Sequence, residues 1–307
     1  AIVLGAGKAA AAMAAAVEDA WESPAQLRGL VVTRHGHACP TRAIEVLQAG
    51  HPLPDAQAID AAGRILALAR SLGADDRLLV LLSGGGSSLL SLPVPGVSLE
   101  DYRRLTQSLL RGGVPIEQMN VLRKHLSRTQ GGQLATATRA DTQVLVISDV
   151  PGDDLSAIAS GPCSADPSTY ADALEVLRRW HIEAPASIAA HLCAGARGDV
   201  AETPKPGDAR FAAMRGQFHG VIRVSECLAI VPLADCFKKG EADVKGRNGC
   251  VELQCAPDGS AMAATPRARA AVPIVRILRM AFSFHERAAC RRRRSSLQRP
   301  DQRSGAA

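Results

Sequence analysis

Aromatic residues are scarce in this sequence. Only 3% of its 307 residues are Phe, Trp or Tyr. A core must therefore be filled by Ala, Leu and Val, as alternating helices and buried strands fill it. Trp21 and Trp180 are expected to pack at helix surfaces. No apolar run reaches the roughly 20 residues of a membrane span, and no signal-peptide pattern appears. Those absences predict no membrane partner, a cytoplasmic protein and reduced cysteines. The eight cysteines show no consistent metal spacing. Cys250 and Cys255 with His285 come nearest and fall short of a zinc pattern. Internal repeats are absent.

Aromatic residues interleaved with basic ones are missing too. The formal net charge is +6, yet nothing forms a stacking surface, so no specific nucleic-acid partner is expected. The excess is also confined to one end. Residues 1–210 hold 19 Lys and Arg against 22 Asp and Glu, whereas residues 211–307 hold 17 against 8. Cys227, Cys236, Cys250, Cys255 and Cys290 crowd into that shorter part. Arg291 to Arg303 lacks any apolar period and is expected to be disordered, with any RNA binding incidental. The chain thus divides into residues 1–210, rich in βα units, and a divergent, basic 211–307.

What is present begins with Leu79-Val80-Leu81-Leu82-Ser83-Gly84-Gly85-Gly86-Ser87-Ser88. An apolar run ends in three glycines set among serines. It reads as a strand buried on both faces, its glycines letting backbone N–H groups approach an anion. Ile2-Val3-Leu4, then Gly5-Ala6-Gly7-Lys8, then an alanine-rich stretch to Trp21 reads as strand, turn and helix. Such a turn suits phosphate, with Lys8 as a clamp. Gly5-x-Gly7-x-x-Ala10 fits a dinucleotide fingerprint loosely. The second strand, 29–33, ends at Arg34 rather than the ribose-binding acid of that fingerprint. That disfavours a nicotinamide cofactor, although an arginine there suits a 2′-phosphate.

Val144-Leu145-Val146-Ile147-Ser148-Asp149 delivers a carboxylate at a strand end, and Asp153 and Asp154 follow a Pro-Gly turn. Phosphoryl transfer uses this chemistry, since Mg²⁺ is held by one or two carboxylates plus substrate phosphates. Asp149 and Asp153 are the candidate metal ligands. One of Asp153 and Asp154 is alternatively the cap of a helix over 154–158. Ile116 to Arg128 reads as a helix carrying Arg123 and Lys124, candidates for an anionic substrate. Strands are expected near 2–4, 29–33, 44–49, 79–82 and 144–148. Helices are expected near 8–21, 55–72, 100–111, 116–128 and 168–180. Pro185 and Pro204-Lys205-Pro206-Gly207 suggest an extended exit from the first domain.

The ordered set resembles the glycerate 2-kinase family, the group with a C-terminal MOFRL domain, sometimes labelled hydroxypyruvate reductase. The resemblance is carried by Gly5 to Ala10, Val31 to Gly36, His51-Pro52-Leu53-Pro54-Asp55 and Ser83 to Ser88. Asn120 to Ser127, Ile147 to Asp153, Ser160-Gly161-Pro162 and Glu202 to Asp208 complete it, covering about residues 1–210. It implies a Rossmann-like layered α/β domain and ATP-dependent phosphorylation of D-glycerate at its 2-hydroxyl. By position, Lys8 looks like the family's catalytic lysine and Asp149 occupies an acidic position near the same site. Gly5, Gly7, Ser83, Gly84, Gly85, Gly86, Ser87 and Ser88 would then bind ATP, and Arg123 and Lys124 the substrate carboxylate. A homo-oligomer is left open.

The sequence departs from the family at Gln130, where a lysine is common, and throughout 211–307. There the family places its second domain, which helps to close the cleft and is expected to supply an arginine. Gly240-Glu241-Ala242 and Gly246-Arg247-Asn248 resemble its motifs only faintly, and Arg247 is the positional candidate. The tail reads as partly a frame-shifted or otherwise degraded version of that domain. Two other classes stay open: a nicotinamide-dependent hydroxypyruvate reductase and a non-catalytic nucleotide-binding fragment.

Overall fold

The structure, a computed structural model, describes residues 1–21, 26–150 and 154–212. It adds the backbone of 219–223, 242–247 and 250–255. Five strands, β1 (Ile2–Ala6), β2 (Arg28–Arg34), β3 (Ile44–Ala49), β4 (Arg77–Ser83) and β5 (Asp141–Ser148), lie parallel in one sheet. β6 (His219–Arg223) extends it in parallel, and β7 (Ala242–Arg247) and β8 (Cys250–Cys255) close the edge as a hairpin. The strand order β3-β2-β1-β4-β5-β6-β8-β7 begins as a doubly wound sheet does. Its order reverses between β1 and β4, which opens a crevice outside their carboxyl ends.

Strand residues alternate between two buried faces. Leu4, Leu30, Val80 and Val144 pack on one side with α2 (Ala56–Ser71). Val3, Val31, Leu81 and Leu145 pack on the other with α1 (Ala10–Ala20). Covering both faces is what makes the strands continuously apolar rather than alternating. Methionine and alanine on α1 allow close approach to the sheet, and Asp55 starts α2 by accepting the Ala58 N–H at 2.9 Å.

After β4 the chain builds a second layer of short and long helices: α3 (Gly86–Leu89), α4 (Leu99–Arg111), α5 (Ile116–His125) and α6 (Gln133–Thr136). Beyond β5 come α7 (Tyr170–Arg179), α8 (Ala186–Ala196) and α9 (Ala209–Ala212). α4, α5, α7 and α8 share a separate core around Tyr102, Leu105, Leu122, Tyr170 and Leu192. Both tryptophans are half-buried, and the Trp180 indole donates to Gln118.

Three expectations are corrected. The span 154–160 is a turn leading into a 3₁₀ helix (Ile158–Ser160), because the Asp154 carboxylate accepts from Ser156 only two residues on. The helix from Ile116 stops at His125, and Arg128 N–H then bonds the Leu92 carbonyl. Beyond Pro185 the chain forms α8 rather than an extended exit, Pro185 being the residue before its first turn. Most of 211–307, including Arg291 to Arg303 and the cysteines named above apart from the backbone of Cys250 and Cys255, lies outside the described residues.

Candidate active site

The first and fourth strands bring two turns together. Lys8 N–H donates to the Gly84 carbonyl at 2.9 Å, and Ala9 N–H to the Ser83 hydroxyl at 3.0 Å. Thr33 at the end of β2 holds the Lys8 carbonyl from the other side. Gly7 stands at φ 137°, where a Cβ would fall 2.1 Å from Ser83 Oγ. Only glycine permits both that dihedral and that approach. The Lys8 backbone is thereby fixed, and its side chain lies beside the glycine loop, its Cε 3.1 Å from where a Gly85 Cβ would stand.

Not all of the expected nucleotide-binding positions face this crevice. Gly5 lies within β1, wedged against Leu81 and Val31. Gly7 and Ser83 are spent on each other's turns, Gly86 packs on Ala159, and the buried Ser88 hydroxyl donates to the Gly85 carbonyl. These five shape the loop from within. Gly84, Gly85 and Ser87 are its partly exposed members.

Asp149 leaves the end of β5 and reaches across to the same loop: a Cβ on Gly84 would lie 2.0 Å from its Oδ2. It is exposed. Among the described residues no group of three metal-ligating side chains occurs. A single carboxylate fits Mg²⁺ only in company with phosphate oxygens, which is the usual manner of its binding. Asp153, the second candidate ligand, lies outside the described residues.

Sequence reading left His51 without a role, although it stands in the His51 to Asp55 motif. Its ring lies 3.0 Å from the Gly85 Cβ position, opposite Lys8. Burial holds its pKa below the ordinary 6.5, and the cations Lys8, Arg34 and Arg123 push the same way against Asp149. The signal was its place just beyond β3, at a carboxyl strand end like the others. Asp55 fixes this turn, holding α2 by its first N–H groups and His35 at 3.1 Å.

The two cations of α5 part company. Arg123 is half-buried, and among the described residues its side chain bonds only Asn120 Oδ1, at 3.2 Å. Burial lowers its pKa. Lys124, expected to meet substrate, instead points into the helical layer, 3.3 Å from the fully buried Asp166. Thr203 also donates to Asp166, His125 contacts Glu202 at 3.1 Å, and Lys205 ties Glu202 to Thr203. Helix geometry explains the divergence, since adjacent helical residues face about 100° apart. The motifs 120–127 and 202–208 therefore build a structural ion network as well as a site. Where the family pattern has a lysine, the buried Gln130 donates Nε2 to the Ser87 carbonyl at 2.6 Å, and its Oε1 finds no partner among the described residues. Arg247 lies in β7 at the sheet edge, and its side chain is outside the description.

Among the described residues, Lys8, Arg34 and Arg123 have no carboxylate within ion-pair distance, and neither does Asp149 have a cation. All three cations act on His51, whose ring stands beside Gly85, and the field they make there is positive. A cavity of about 480 Å³ also opens at the opposite, amino-terminal ends of the strands, between Ile2 and Asp76. Ligands of such sheets bind at the carboxyl ends.

A model of the family described as a domain of unknown function, DUF4147, matches residues 1–193. The chain belongs to the DUF4147 family. An Agrobacterium vitis relative provisionally named hydroxypyruvate reductase is 51% identical over 208 residues, 67% of this chain and 46% of that one. The glycerate 2-kinase of Pyrococcus horikoshii is 42% identical over 205 residues, 66% of this chain and 46% of that one. The crystal structure of a glycerate kinase from Thermotoga maritima superposes with a TM-score of 0.62 at 40% identity, covering 72% of this chain and 50% of that one. This DUF4147 chain spans about half the length of the relatives it matches. No helix among its described residues is long and apolar enough to cross a membrane.

Proposed function

We propose that this chain carries the phosphoryl-transfer site of a glycerate 2-kinase, which moves the γ-phosphoryl group of ATP to the 2-hydroxyl of D-glycerate. The observation that supports it most is the set of cations Lys8, Arg34 and Arg123 acting together on His51 beside Gly85, with Asp149 against Gly84. Lys8 neutralises charge on the transferring group, and the partly exposed loop residues Gly84, Gly85 and Ser87 cradle phosphate oxygens. Arg123 receives the substrate carboxylate. Lys124 is not carried into this role, being committed to Asp166.

Asp149 would hold Mg²⁺ together with the nucleotide phosphates, with Asp153 as a second candidate. That ion supplies charge neutralisation on the phosphate oxygens. Two of the relatives bear the kinase name, and the reductase name of a third finds no ribose-binding acid at the end of β2, where Arg34 stands. The second, MOFRL-like domain and Arg247 would complete closure, and the protein would work in the cytoplasm.

The test is transfer from Mg-ATP to D-glycerate, with the phosphate position read by ³¹P NMR. Appearance of 2-phosphoglycerate that is lost in Lys8→Ala supports the reading. NADPH-dependent reduction of hydroxypyruvate without phosphoryl transfer would replace it by the reductase. Nucleotide binding with neither reaction would leave a binding fragment.

A further inference from the structure

Ala159, Ser160 and Gly161 stand consecutively at φ 52°, 59° and 62°. Left-handed backbone is unfavourable for alanine and serine, and it persists only where surrounding contacts impose it. Here it turns a fully buried hydroxyl inward. Ser160 Oγ lies 2.9 Å from Asn120 Oδ1 and 2.9 Å from Ser87 Oγ.

The direction of these bonds follows from chemistry. Ser160 is the donor in both contacts, its one proton shared between Asn120 Oδ1, which can only accept, and Ser87 Oγ. Arg123 Nη1 also donates to Oδ1 at 3.2 Å, while Asn120 Nδ2 donates to the Ala157 carbonyl at 3.2 Å. Reversing the amide would oppose donor to donor and oxygen to oxygen, which fixes its orientation. At the far end the Ser87 carbonyl accepts from Gln130 and Ser91. Two buried side chains thus join the glycine loop to Arg123, the α5 cation with no carboxylate partner among the described residues.

We propose that Ser160 and Asn120 are positioning residues that hold the Arg123 guanidinium in the direction that meets the acceptor's carboxylate. The assignment of that carboxylate rests on the kinase reading; the restraint of Arg123 does not. An arginine without a carboxylate partner has many rotamers, and fixing one before binding removes an entropic cost that the ligand otherwise bears. Substrate carboxylate then binds more tightly, and nucleotide, held by the loop, is little affected.

The experiment compares wild type with Ser160→Gly and Ser160→Ala. Both remove the hydroxyl, and only Ser160→Gly also relieves the left-handed backbone. Arginine guanidinium NMR reads rotation of Arg123, assigned with Arg123→Lys, and calorimetry reads Kd for D-glycerate and for ADP. Expected are a slowly rotating Arg123 in wild type and fast rotation in both variants. D-glycerate binding should weaken about 10-fold, as loss of a hydrogen bond supporting a charged group implies, with ADP affinity unchanged. Ser160→Gly should show this without any loss of thermal stability. Unchanged rotation and unchanged D-glycerate affinity in Ser160→Gly would overturn the proposal. Wild-type protein that binds no D-glycerate, while Arg123 is freed in the variants, would uphold the restraint and overturn the kinase reading instead.

Discussion

The Asp149 carboxylate lies so close over Gly84 that a Cβ on the glycine would stand 2.0 Å from Oδ2 and 2.5 Å from Cγ. The bare Cα of the loop is the seat of the acidic group. Asp149 is exposed and free to swing away, so Gly84→Ala should fold with a stability change within about 1 kcal/mol. Displacing the carboxylate by an ångström should cost about 100-fold in phosphoryl transfer. A double-mutant cycle with Asp149→Ala should show strong non-additivity, each change removing the same contact. Additive losses would mean that Gly84 acts in another way.

Neighbouring cations of α5 should respond oppositely to truncation. Lys124→Ala strands the buried Asp166 and should destabilise by about 3–5 kcal/mol in urea unfolding. Arg123→Ala breaks one bond to Asn120 and should cost about 1 kcal/mol, yet it should abolish the response to D-glycerate. Equal stability losses would place both residues in the same structural role.

Acid should act through Asp166. Burial works to raise its carboxyl, but Lys124, Ser168, His125 and Thr203 together outweigh that and hold it below its ordinary 3.8. A carboxyl lowered on folding contributes stability in full above its ordinary value. That contribution is lost as pH falls through the folded value. The unfolding free energy of Asp166→Asn should start lower at neutral pH and fall less steeply than wild type as pH drops below the ordinary carboxyl value of 3.8. Parallel curves would exclude Asp166 as a source of acid lability.

His51 should report anion binding. Its midpoint in the free protein should lie below 6.5. Sulfate, whose charge is constant in this range, would offset the field of Lys8, Arg34 and Arg123. The imidazolium is then less disfavoured, the midpoint rises, and a proton is taken up on binding. By linkage, sulfate should bind more tightly as pH falls through that interval. A histidine ¹H–¹³C titration with and without sulfate reads both, and an unmoved midpoint at saturation would place the anion elsewhere.

Much of this was legible without coordinates. Apolar runs of three to five residues leading into glycine, or through a serine into glycine or aspartate, announced β1, β4 and β5 and the end at which chemistry gathers, because a strand covered on both faces excludes polar side chains. The helix starts at Asp55 and Ser98 were equally local, each set by one side chain accepting an N–H three residues on. α8 escaped because Pro185 reads alike as a breaker and as a helix start.

Tertiary structure alone decided that of two adjacent cations Lys124 turns to the buried Asp166 and Arg123 to Asn120. It also decided that Gly7 packs against Ser83, that His51 stands beside Gly85, and that Ser160 joins Asn120 to Ser87. Apart from the Arg123 bond, each of these facts depends on partners some 25 to 75 residues away. Sequence patterning records whether a side chain is buried, and only the packed chain specifies against what. Local backbone preference and burial are written along the sequence; pairing, direction and distance arise when the sheet reverses its order at β1 and β4 and brings separate turns together.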